Sequence, residues 1–119
     1  MDTQIVEVIG RNHLITELLR AGLEVAEPVR GRGIDLIAYS DLDARLPSFT
    51  AWPIQMKAST WESFSIDAKY EAFPNLIMAH VWHVGDSGTP LTYALTYAES
   101  LAIGTAMGWT STSSWNGGS

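Results

Sequence analysis

Apolar positions in the first twenty residues recur at helical spacing. Ile5, Val8, Ile9, Leu14, Ile15, Leu18 and Leu19 lie three or four apart, which predicts one helix over Asp2–Ala21 with an apolar stripe. Asp2 or Thr3 can cap its start, and Gly22 stands where a helix commonly stops. Gly10 lies within it and either permits close packing or breaks the helix. After Gly22 the pattern changes to short runs. Leu23–Val29 reads as a strand ended by Pro28 and the Arg30-Gly31-Arg32-Gly33 turn, Ile34–Tyr39 as a second, and Trp52–Ala58 as a third. Ser40–Ala51 is a polar loop. Ser59–Phe73 is mixed, with a short helix expected near Asp67–Ala72. Leu76–Val84 is almost wholly apolar, as in a strand buried on both faces. Gly85–Gly88 makes a turn, Leu91–Leu95 a last strand, and Ala98–Met107 a helix stopped by Gly108. The order α-β-β-β-(α)-β-β-α implies an α/β fold with one central mixed sheet flanked by helices.

Three polar residues break this pattern where a plain core strand would not carry them: Asp35, Gln55 and Lys57. If the second and third strands are antiparallel neighbours and Tyr39 pairs near Pro53, Asp35 falls opposite Lys57. Alternation then puts Asp35, Gln55 and Lys57 on one face, and turns Ile34, Leu36, Ile54 and Met56 to the other, into the core. A slip of one residue would bury Lys57 among apolar groups, so the pattern selects this register. Such a trio suits phosphodiester hydrolysis. A hard cation such as Mg²⁺ takes carboxylate and amide oxygens together with water and substrate phosphate, which would come from Asp35 and Gln55. Lysine beside it can assist the attacking water or stabilise transition-state charge. The plain alternative is a turn-end Asp paired with a Lys across a hairpin.

Composition narrows the classes. With 119 residues the chain makes one domain, 1–119, with a core over about 2–108 and a Ser/Thr/Gly-rich tail over 109–119. Its 46% hydrophobic and 17% charged content argues against disorder. There is no cysteine, which removes disulfides, thiolate metal sites and thiol nucleophiles, and suits a cytoplasmic protein. No run approaches the ~20 apolar residues that span a bilayer, and the first residues lack a signal-peptide pattern, so no membrane is expected. A net charge of -6 argues against a module living by non-specific phosphate contacts. It weighs less against a metal-dependent nuclease, whose site needs carboxylates.

Gly33-Ile34-Asp35-Leu36-Ile37 followed by Ile54-Gln55-Met56-Lys57 resembles the PD-(D/E)XK nuclease superfamily, the restriction-endonuclease-like three-layer fold. The Gln form of the last motif is similar to modification-dependent restriction enzymes and Holliday-junction resolvases. The helix containing Gly10-Arg11-Asn12 and the Pro28–Gly33 turn fit the same plan, so the resemblance spans roughly residues 5 to 95. It implies a Mg²⁺- or Mn²⁺-dependent endonuclease acting on DNA, branched or modified, as a homodimer or with a partner protein. Two departures matter. Gln55 stands where most members carry an acid, and the helix position that often carries a Glu falls at His13, with Glu17 one turn later. Glu17 would supply the carboxylate, or His13 would act as ligand or base, or both face solvent. Arg30 and Arg32 form the best local basic patch, and Lys69 is a further phosphate contact. Trp61, Phe64 and Tyr70 either stack on bases or pack. His80 and His83, three apart on one strand, would point to opposite faces and serve structure. Asp41 and Asp43 face solvent, and Trp109 and Trp115 cover an edge or a dimer contact. The rival function is a catalytically inactive nuclease-fold binding or protein-interaction module.

Overall fold

The computed structural model describes residues 1–43, 47–85 and 88–108. The tail with Trp109 and Trp115 lies outside them, as do Asp86 and Ser87 of the turn after the fourth strand. Helix α1 runs Thr3–Arg20 without a break, capped by Asp2, whose carboxylate accepts from Ile5 N–H at 2.9 Å. Five strands follow: β1 Leu23–Ala26, β2 Leu36–Ser40, β3 Ala51–Ala58, β4 Ile77–Trp82 and β5 Leu91–Thr96. Helix α2, Tyr97–Ala106, starts on a capping box in which Thr96 and Glu99 bond each other's backbone N–H groups.

The sheet order is β1-β2-β3-β4-β5. All neighbours are antiparallel except β3 and β4, which are parallel. A parallel pair needs a crossover, and residues 59–76 supply it, carrying a 3-10 turn at Ala68–Ala72 in place of a full helix. Asp67 caps that turn through Lys69 N–H at 2.9 Å.

Alternation divides the core in two. Leu36, Ala38, Ile54, Met56, Ala79 and Val81 meet Val6 and Leu14 of α1 on one face. On the other, Met78 packs with Tyr70 of the 3-10 turn and Tyr97 of α2, with Ile34, Ile66 and Leu101 beside them. Ile34 therefore packs opposite to the expected face, because it lies in the turn before β2 and escapes the strand's alternation.

The apolar stripe of α1 also differs from expectation. Its buried line is Val6, Gly10 and Leu14, while Ile5, Val8, Ile9 and Leu19 are exposed. Gly10 sets this line. A Cβ there would stand 2.6 Å from the Cβ of Ala58 on β3, so helix backbone and strand meet where only glycine fits.

The register of β2 on β3 is shifted by two residues from the expected one. Tyr39 pairs with Ala51 and Ile37 with Pro53, which places Asp35 beside Gln55 rather than Lys57. A two-residue shift keeps every strand residue on its face, so from Leu36 onward the polar and apolar sides are unchanged. Ser40 clamps the far end of this ladder: its N–H donates to Thr50 O at 2.8 Å and its hydroxyl accepts from Thr50 N–H at 2.9 Å.

Candidate functional site

The turn before β2 delivers Asp35. Ile34 N–H donates to Gly31 O at 2.6 Å, and the backbone passes through positive φ at Arg32 (26°) and Gly33 (97°). Glycine takes such angles freely; arginine does so seldom. Asp35 then leaves the ladder and spans Gln55. Its N–H donates to Ile54 O at 2.8 Å, and its carboxylate Oδ2 accepts from Met56 N–H at 2.7 Å. The side chain thus replaces a backbone acceptor, which is why β2 begins at Leu36 and not at Ile34.

Gln55 and Lys57 point to the face away from α1, beside Met78 and His80 of β4. Lys57 is exposed, whereas the side-chain oxygen of Gln55 is buried with no hydrogen-bond partner. An acceptor left so costs about 1–3 kcal/mol, and is a group waiting for a cation or donor. A hollow of about 280 Å³ opens here, lined by Gln55, Lys57, Ser65, Asp67, Lys69 and Tyr70 among others. Lys69 lies 3.9 Å from Asp67 and 5.1 Å from the Tyr70 ring centre. Two cations against one carboxylate make this hollow locally positive on an acidic protein. Asp35 adjoins it at Gln55 but is not part of its lining, since its carboxylate is turned to the β3 backbone.

His13 and Glu17 do not join this group. Both are on α1, across the sheet, and bond each other at 3.0 Å; Glu17 also accepts from the Thr92 hydroxyl on β5. The apolar layer of Leu36, Ile54 and Met56 lies between them and Lys57. Arg30 and Arg32 are exposed on the turn that precedes Asp35, and Asp41 and Asp43 are exposed in the next loop.

His80, expected to serve structure, lies on β4 beside Lys57. It is 1% exposed, both ring nitrogens lack partners, and Phe64 of the crossover stacks on it at 4.9 Å. Burial, and then the charge of Lys57, hold its pKa below the ordinary value, so the ring is neutral at pH 7. Its signal was a histidine in an otherwise apolar run, on the same parity as Lys57 across a parallel pair. His83 falls beyond β4 at φ 61°, with Nε2 3.3 Å from Glu62, so the strand argument never applied to it.

Among the described residues, no group of three or more His, Cys, Asp or Glu side chains gathers to hold a metal. The hard oxygen donors nearest in the chain pairing are the Asp35 carboxylate, one oxygen of which accepts from Met56 N–H, and the orphaned Gln55 oxygen. Both are hard oxygen ligands, which fit Mg²⁺ or Mn²⁺ taking its other ligands from water and phosphate, and do not fit a protein-only cage. Comparison with protein-family models, curated proteins and solved structures finds no match to this chain.

Proposed function

We propose that this chain is a metal-dependent hydrolase of DNA phosphodiesters, on the restriction-endonuclease-like plan that its motif resembles. One observation carries the reading: Asp35 is bonded on both sides of Gln55, whose buried side-chain oxygen has no partner. The first contact is a backbone bond that any residue makes; the second fixes the Asp35 carboxylate beside Gln55, and a core Gln would be satisfied. Asp35 and Gln55 would hold the cation, and Lys57, exposed on the same face as Gln55, would orient the attacking water or stabilise charge on the phosphate. When bound, the cation would neutralise phosphate charge and lower the pKa of a water. Lys69, Arg32 and Arg30 would contact flanking phosphates. The element order, with antiparallel β1–β3 and a parallel β4 after a crossover, supports the same plan.

A second reading has its own support. The lack of a cluster of three acidic or His ligands among the described residues, His13 and Glu17 on the far side of the sheet, and the net charge of -6 favour a non-catalytic binding module. Incubating plasmid and branched DNA with Mg²⁺ or Mn²⁺ separates the two. The wild type is expected to cleave, and Lys57→Ala to cleave at least ~100-fold more slowly with its melting temperature nearly unchanged. Asp35→Ala should lose cleavage as well. Cleavage that persists in both variants sinks the site; none with either metal supports the module.

A further inference from the structure

We infer that a second cavity, between the turn before β2 and the 3-10 turn, receives one unpaired nucleobase of the DNA strand. The inference rests on the DNA reading above and names the kind of substrate that reading leaves open.

The cavity has a volume of about 340 Å³, at the small end of ligand pockets and sized for one base rather than a dinucleotide. Ile34, Pro53, Phe73 and Pro74 give it flat apolar walls. Phe73 is 58% exposed, a large ring left toward solvent at a cavity wall, where a base would find a stacking surface. The polar side chains of the lining are Arg32, Asn75 and Tyr70. An amide offers adjacent donor and acceptor groups, which match the edge of a base; a guanidinium can stack on it or take its phosphate.

Position joins the two sites. Tyr70 lines both this cavity and the Gln55–Lys57 hollow, so the two sites share a wall. Ile34 lines the cavity, and its neighbour Asp35 is bonded to Met56 N–H. A strand laid with a phosphate at Lys57 and Lys69 would therefore bring a nearby base to Phe73, but only a base free of its pair could enter. DNA with a bulge, a junction or a single-stranded end supplies one; an intact duplex does not.

The test is binding without divalent cation, using a duplex with one 2-aminopurine bulge, the same duplex with an abasic bulge, and the unbulged duplex. The full chain should bind the base-bearing bulge about tenfold more tightly than either control, with a change in 2-aminopurine emission. Phe73→Ala and Asn75→Ala, both at exposed positions, should each reduce that preference, Phe73→Ala to within about twofold. Equal affinity for the three DNAs overturns the inference while leaving the cleavage site standing. A preference that survives both substitutions also overturns it. Absence of binding to any of these DNAs overturns the inference; cleavage with Mg²⁺ or Mn²⁺ that is lost in Asp35→Ala then leaves the DNA reading standing, and no cleavage overturns that reading too.

Discussion

On the face under α1, the strands present Leu36, Ala38, Ile54, Met56, Ala79 and Val81, all at most 7% exposed, against an unbroken eighteen-residue helix. On the reverse, the same β3 and β4 present Gln55, Lys57 and His80, covered by an irregular crossover, a five-residue 3-10 turn and the ten-residue α2. Among the described residues, the one unmatched buried side-chain atom on the α1 side is Nε of Arg11, on the helix itself. The second holds three orphaned side-chain atoms, the Gln55 oxygen and both His80 nitrogens, and of these residues Gln55 lines the 280 Å³ hollow. One face thus stores stability and the other spends some of it on polar groups that bind nothing within the chain. Substituting the crossover helix by a short turn is what leaves the second face open.

The contrast can be broken at its strongest point by Leu36→Ala. Leu36 is fully buried, and the substitution should cost about 2–5 kcal/mol in urea unfolding. A cost below 1 kcal/mol would mean that the α1 face is not the stabilising one. Gly10→Ala probes the helix–strand approach. The added methyl would meet Ala58 at 2.6 Å, and overpacking of about 1–3 kcal/mol should outweigh the ~1 kcal/mol that alanine returns as helix propensity. Net stabilisation would refute so close an approach.

On the second face, His80→Leu should leave stability at pH 7 unchanged or raised, since it removes two unpartnered nitrogens and nearly keeps the side-chain volume. It should also flatten the acid limb. The folded-state pKa of His80 lies below 6.5, so the unfolded chain binds the extra proton first. Wild-type stability should therefore hold above pH 6.5 and fall as pH drops from there toward the lowered folded pKa. An identical pH profile in the variant would remove His80 from that account. The smallest effect is expected at Glu17→Gln, which weakens an exposed pair with His13: about 0.5 kcal/mol or less, and no change in cleavage. A large loss of cleavage would instead return Glu17 to the site.

Much of this was legible because alternation is local. The parity of Leu36, Ile54 and Met56 against Gln55 and Lys57 follows from period two alone, and the register error of two residues left it intact. The departures arose at two contacts, one a side chain in a backbone role and one a close approach of backbones. Asp35 bonding Met56 N–H shortened β2, and Gly10 meeting Ala58 moved the buried line of α1 away from its larger apolar residues.

The chain's own pattern determined the elements, their order and the two faces of the sheet, since these depend on neighbours within a few residues. Only the tertiary structure decided which face α1 would cover, and hence that His13 and Glu17 would stand apart from Lys57. It also decided that β4 would lie parallel to β3, bringing His80 beside Lys57 and Tyr70 between two cavities. Those outcomes depend on pairings across twenty or more residues, where no sequence period reaches and loop closure and packing settle the arrangement together.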